Sequence, residues 1–339
     1  MTAYREAGLE TQAGGVWQPP PRRNKGWFWA LGGLLALVLL GLLIGLGART
    51  EGNGPIGENA GGPYVGVLYV QDTMTISQSG SGLLSGNEGG YHHQYLLDAI
   101  EEMMQDPWNQ GLLLYIDSPG GEVLAADELS RKVEEYKAAT GRPVFAYGYT
   151  YAASGGYWLA CTADTIYLNR YCLTGSIGVT MGSLLDISGL LEKYGVAVYD
   201  LASGDQKNGG NGLTPMDPET IAIYQGILDE YYRDFLDWVL AHRPHLTEEQ
   251  LLTLADGRVY TARQAVENGL ADQVGDYGAA LRDLQAACGG IPSVREYYPD
   301  PVQVTFLDLF TLSQGERELS ALLELARPQG ILAYYQLGQ

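Results

Sequence analysis

Histidine and cysteine are scarce in this sequence, and with them the usual means of holding a metal. The 339 residues include four histidines and three cysteines. His92 and His93 are adjacent, His242 and His245 flank a proline in HRPH, and Cys161, Cys172 and Cys288 fit no zinc or haem spacing. No metal centre, cofactor or disulfide is expected. Cys161 lies in an apolar run and reads as a small core residue. Basic residues are also few: 20 lysines and arginines stand against 40 acidic residues, a net charge of -20. That balance repels phosphate backbones, so nucleic acid is not an expected partner.

Long uncharged runs are equally rare. The one that stands out, Trp27 to Leu46, reads WFWALGGLLALVLLGLLIGL, the length needed to cross ~30 Å of hydrocarbon as a helix. Arg22, Arg23 and Lys25 precede it and Arg49 follows it, so the positive-inside rule places residues 1–26 in the cytoplasm and the rest outside the cell membrane. The run is longer than a cleaved signal segment and is expected to be an uncleaved single-pass anchor in membrane lipid. Residues 47–63, polar and glycine-rich, read as a flexible linker.

Hydrophobic residues make up 46% of the chain, enough for a substantial core. Strand-like runs recur at YVGVLYV (64–70), GLLLYID (111–117), PVFAYGY (143–149), DTIYL (164–168) and VAVYDL (196–201). Helix-favouring stretches alternate with them: YLLDAIEEMMQD, VLAADELSRKVEEYKAATG, SGGYWLACTA, and a long one over about 217–243. The alternation predicts an α/β fold with a mainly parallel sheet and reactive groups at strand C-termini. Residues 64–288 form the expected catalytic domain. The remainder, 289–339, is an extension in which QVTFLDLF reads as a strand and ERELSALLELAR as an amphipathic helix, serving core packing or a subunit contact.

Three strand ends are rich in glycine: SPGGE at 118–122, TYAASGG at 150–156, and NRYCLTGSIGV at 169–179. A serine at a strand-to-helix turn, here Ser154, can attack a carbonyl if a base takes its proton and backbone amides hold the oxyanion. Gly155, next to that serine, and Gly120 and Gly121 on a second strand end would let backbone come close. No histidine follows an expected strand. Lys207, in the polar loop after VAVYDL, does, although a lone loop lysine is ordinarily a solvated charge. An amine accepts a proton only when uncharged, and an ordinary lysine holds its proton up to ~10.4, so burial and a hydroxyl partner would be needed.

SPGG (118–121), AASGGYWLAC (152–161), TGSIGV (174–179), SGDQK (203–207) and GRVYTARQAVENGLADQVG (257–275), taken in order, resemble the signal peptide peptidase A family of membrane-anchored serine proteases, short single-copy form. The resemblance implies a crotonase- and Clp-protease-like fold of repeated ββα units and a Ser/Lys dyad. It makes Ser154 the nucleophile, Lys207 the general base, Ser176 the residue that orients the lysine, and the amides of Gly121 and Gly155 the oxyanion hole. It also implies hydrophobic peptide substrates, signal-peptide remnants among them, and a homo-oligomer whose neighbours complete the chamber. The flanks of Lys207, Gln206 and Asn208, depart from the family's usual aromatic or small and acidic neighbours. A crotonase-like acyl-CoA enzyme and a catalytically silent membrane scaffold on the same fold remain the alternatives.

Overall fold

The computed structural model describes residues 62–76, 90–291 and 293–299 and the backbone of 332–334. The chain divides into two units, Met1–Gly54 and Pro55–Gln339, and every described residue falls in the second. The apolar run at 27–46 and the expected strand and helix of the C-terminal extension lie outside the described residues. Among the described residues no helix is long and apolar enough to cross a membrane.

In chain order the elements are β1 (Tyr64–Gln71), α1 (His93–Gln105), β2 (Asn109–Ser118), β3 (Gly120–Glu122), α2 (Val123–Thr140), β4 (Val144–Ala153), α3 (Gly155–Cys161), β5 (Thr165–Leu168) and β6 (Leu173–Gly175). There follow α4 (Ser188–Lys193), α5 (Pro218–His242), α6 (Glu248–Leu254), β7 (Val259–Thr261), α7 (Ala262–Glu267), β8 (Gln273–Val274), α8 (Tyr277–Ala287), β9 (Val294–Tyr297) and β10 (Leu332–Tyr334).

The main sheet runs β7-β6-β4-β2-β1-β9, with β5 on β4 and β8 on β5. Every pairing in it is parallel except β6 with β7. Its central strands are buried on both faces, which is why β1 and β2 read as near-continuous apolar runs rather than alternating ones. Alternation still sorts their side chains. Leu68 and Val70 join the larger core with α1, α2, α3 and α5, whereas Val65, Val67 and Tyr69 point to the other face, where Ala280 and Leu284 of α8 cover them.

The far end of α5 is tied down by charge. Buried Arg243 bonds both oxygens of Asp272, at 2.8 and 3.0 Å, and the carbonyl of Gly269 at 3.1 Å. Asp272 in turn accepts the amide of Ile166 at 2.7 Å, linking helix to sheet. Burial alone would push this carboxyl up, but the guanidinium and the Ile166 amide hold it below the usual range.

One expected strand does not form. Residues 196–201 adopt no regular structure, and Tyr199 and Leu201 are 84% and 94% exposed. Among the described residues the segment pairs with no strand, and an unpaired apolar run cannot hold strand geometry alone.

Candidate active site

The site is built where β2 and β4 end. After β2, Ser118 locks the turn: its Oγ donates to the carbonyl of Asp72 at 2.5 Å and accepts the amide of Gly120 at 3.1 Å. The short β3 then lies against Met74, whose amide donates to Gly120 O at 2.9 Å and whose carbonyl accepts from Glu122 N at 2.7 Å. A Cβ at position 121 would stand 2.0 Å from Met74 O, so only glycine fits there. Gly121→Ala is expected to displace β3 and lower the midpoint of denaturant unfolding. A wild-type midpoint would show that the approach of Met74 does not matter to the fold.

At the end of β4 the chain turns sharply into α3. Ser154 sits at φ 52°, ψ -118°, a conformation that costs a non-glycine residue on the order of 1–3 kcal/mol and persists only where its surroundings enforce it. Two backbone bonds do so: Ser154 N donates to Gly175 O at 2.8 Å, and Trp158 N donates to Ser154 O at 2.8 Å. The serine is 1% exposed, and its Oγ has no hydrogen-bond partner. Buried hydroxyls are nearly always satisfied, so an orphan on a strained turn calls for a reason.

The two glycine segments meet at this point. A Cβ on Gly155 would lie 3.3 Å from Gly120 Cα and 3.3 Å from Met74 Sδ, and one on Gly156 would lie 2.8 Å from Ser118 O. The turn carrying the serine is therefore packed directly on the SPGG turn. Asp117 braces the same junction by accepting the amides of Thr150 and Tyr151, each at 3.1 Å.

Ser176 is brought alongside. The β4–β6 register ends at Ala153 opposite Gly175, so Ser154 and Ser176 occupy the next positions on neighbouring strands. Ser176 is buried and also has a positive φ, 52°, and its amide donates to Arg258 O at 2.8 Å. The stretch GRVYTARQAVENG supports it from behind: β7 pairs antiparallel with β6, and Thr261 with Gln264 forms a capping box that starts α7. A cavity of about 670 Å³ opens beside Ser176, lined in part by Gly178, Thr180, Leu228, Tyr232 and Asp256.

Lys207 is not part of this cluster in the single chain. It is exposed, in the turn-rich loop that precedes α5. Its neighbours Gln206 and Gly209 bond Thr220 and Tyr224 on the first turns of α5, whereas α3 packs against Phe235 and Trp238. At about 1.5 Å per residue, Thr220 and Phe235 stand about 22 Å apart along the helix. Three of the four histidines are engaged elsewhere: His93 bonds Tyr91 and Glu128, while His242 and His245 donate to the carbonyls of Trp238 and Gly269.

The thiols are equally remote from chemistry. Burial pushes Cys161 and Cys172 up to about 12 and Cys288 up to about 11, and all three are free. No group of histidine, cysteine and acidic residues that could hold a metal occurs among the described residues. The motif reading missed the part played by Met74 and Asp117, which act through backbone contacts and leave no pattern in the sequence.

The chain is 38% identical over 246 residues to the Methanocaldococcus jannaschii protease MJ0651, described only as putative, covering 71% of this chain and 77% of that one. The peptidase family S49 profile matches residues 136–289, a span that includes Ser154, Ser176 and Lys207. The chain belongs to peptidase family S49, that of signal peptide peptidase A. Family S49 comprises serine proteases. Protease 4 of Haemophilus influenzae is 33% identical over 65% of this chain and 34% of its own length. The chloroplastic serine protease SPPA of Arabidopsis thaliana is 30% identical over 64% of this chain and 32% of its own. Relative to those two S49 members, the chain spans about a third of their length.

Proposed function

We propose that this S49 chain is a membrane-anchored serine endopeptidase that cuts hydrophobic peptides, signal-peptide remnants among them, through an acyl-enzyme on Ser154. The observation that carries the reading is the strained, buried Ser154 with its unpartnered Oγ, set where two glycine-bearing strand ends touch. In the reaction the Oγ attacks the scissile carbonyl while a base takes its proton. The amides of Gly121 and Gly155 receive the oxyanion, the peptide C–N bond breaks, and the protonated base returns its proton to the leaving amine. Water then attacks the ester by the same route in reverse. A crotonase-like arrangement of the units agrees with amides from two strand ends converging on one oxygen.

Lys207 is the proposed base and Ser176 its positioning partner. In the single chain the amine is exposed, and so is the arm that leads to it: Leu185 is 75%, Tyr194 73% and Leu201 94% exposed. Apolar surface of that kind marks a contact with another molecule. Assembly of identical copies would cover the arm and carry Lys207 to the cavity beside Ser176 of a neighbour. No cofactor is required by this chemistry.

Substrate would lie along the start of α2. A cleft of about 790 Å³ there is lined in part by Val123, Leu124, Trp158, Tyr231 and Trp238, surfaces suited to apolar side chains. It adjoins Gly121 through Glu122 and Ser154 through α3. The anchor at 27–46 would hold this cleft on the outer side of the membrane, where peptides released from it arrive. A fluorophosphonate probe tests the reading: one adduct is expected, on Ser154, in membranes as well as in detergent extract. Folded protein that takes no probe would overturn it.

A further inference from the structure

We propose that the cleft between α2 and α5 selects its peptide by a basic side chain, a lysine or arginine whose charged head pairs with Asp234, an inference that rests on the protease reading above. Four carboxylates line that cleft, those of Glu122, Asp127, Asp234 and Asp237, against one guanidinium, Arg131. Three of the four are already engaged. Glu122 accepts from Thr75 Oγ1 and Ile76 N at 3.0 and 2.9 Å, Asp127 pairs with Arg131 at 2.7 Å, and Asp237 pairs with Arg233 at 2.6 Å. Asp234 is exposed and has no hydrogen bond or ion pair among the described residues. The imidazole of His242 does not neutralise it, being held by Trp238 O at 2.8 Å and Glu134 at 3.4 Å.

Aromatic side chains frame the free carboxylate. Tyr231, Asp234 and Trp238 follow one another at three- and four-residue steps along α5, so they share one face of the helix, and all three line the cleft. Trp238 is fixed in place: its Nε1 donates to Trp158 O at 2.9 Å, and its ring stacks on that of Trp158 with centroids 5.4 Å apart. Lysine and arginine suit such a frame, because their methylene stems cover apolar surface while the charged head stays at the wet rim. An acidic side chain would meet only like charge there. A bare metal ion is not the expected occupant, since no group of side chains able to hold one occurs among the described residues.

A second observation makes the cation part of a peptide. Trp158 also lines the cleft, is 6% exposed, and its buried Nε1 has no hydrogen-bond partner. A donor in that state calls for an acceptor. A peptide brings carbonyls together with its cation, whereas a free amine brings none. Signal peptides join a positively charged flank to an apolar run, and Asp234 and the aromatic walls offer one contact for each. The cleft adjoins Gly121 through Glu122 and Ser154 through α3, so the basic residue would sit close in sequence to the bond that is cut.

The test uses the full chain in detergent and fluorescent apolar peptides that differ at one position: lysine, norleucine, which keeps the stem without the charge, and glutamate. Binding is read by anisotropy on the Ser154→Ala protein, so that cleavage does not enter. A partly exposed ion pair is worth up to about fivefold in affinity, so the lysine peptide is expected to bind about fivefold more tightly than the norleucine peptide, with the glutamate peptide weakest. Adding Asp234→Asn should erase the lysine advantage and leave norleucine binding unchanged. Glu249→Gln, which makes the same change of net charge at an exposed position on α6 outside the cleft, should alter neither. Salt at about 1 M, where charges are screened within about 3 Å, should also erase the advantage. In the wild type the same preference should appear in KM rather than kcat. Equal affinity for the lysine and norleucine peptides, or an advantage that survives Asp234→Asn, would overturn the cation site. Equal affinity with Ser154 labelled by the fluorophosphonate probe refutes this inference alone, and unequal affinity with Ser154 unlabelled refutes the protease reading alone.

Discussion

Ser154→Ala is expected to abolish peptide hydrolysis and to make the protein more stable. Losing the nucleophile of a serine protease costs on the order of 10⁶ in kcat where it has been dissected, so turnover should fall at least ~10⁴-fold with any residual rate due to binding and the oxyanion amides. The stability gain follows from the orphaned hydroxyl. A buried polar group without a partner costs about 1–3 kcal/mol, and alanine removes the oxygen while keeping the Cβ that the turn already accommodates. A domain of this size gains about 2–4 °C in Tm per kcal/mol, so calorimetry should show the variant melting a few degrees higher. The pairing of the two effects separates a functional serine from a structural one. A variant that lost activity and melted lower would mean that the Oγ holds the turn together, and the nucleophile would have to be sought elsewhere.

Much of this site was readable from the chain because its demands are local. SPGG, AASGG and TGS place small residues where three strand ends crowd together, and the contacts of Gly121, Gly155 and Gly156 show why larger ones cannot stand there. The buried parallel strands were readable for the same reason: runs such as GLLLYID are apolar on both faces because both faces are covered. What could not be read depends on partners distant in sequence or outside the chain. VAVYDL has the composition of a strand, yet strand formation is decided by pairing, and among the described residues it pairs with no strand. Met74 shapes the site by its backbone alone. β10 lies more than 200 residues after the strand it pairs with, and no local pattern in its sequence announces that register.

The lysine is the sharpest instance of that second class, and its test has a large expected effect. Lys207→Ala should lower kcat nearly as far as Ser154→Ala, since the serine hydroxyl is a poor nucleophile without a base to take its proton. Wild-type kcat/KM should climb from neutral towards alkaline pH, because only the deprotonated amine can act as base and its population grows as protons are removed. Exposure of Lys207 in the single chain adds a more specific expectation. Neither inactive variant is repaired by itself, but a mixed assembly of Ser154→Ala and Lys207→Ala chains contains junctions where an intact serine meets an intact lysine from the neighbour. Unfolding and refolding the two together should therefore restore part of the activity, while each refolded separately stays silent. A mixture as inactive as its components would place serine and base on one chain, and a rate level from pH 6 to 9 would remove the amine from the reaction altogether.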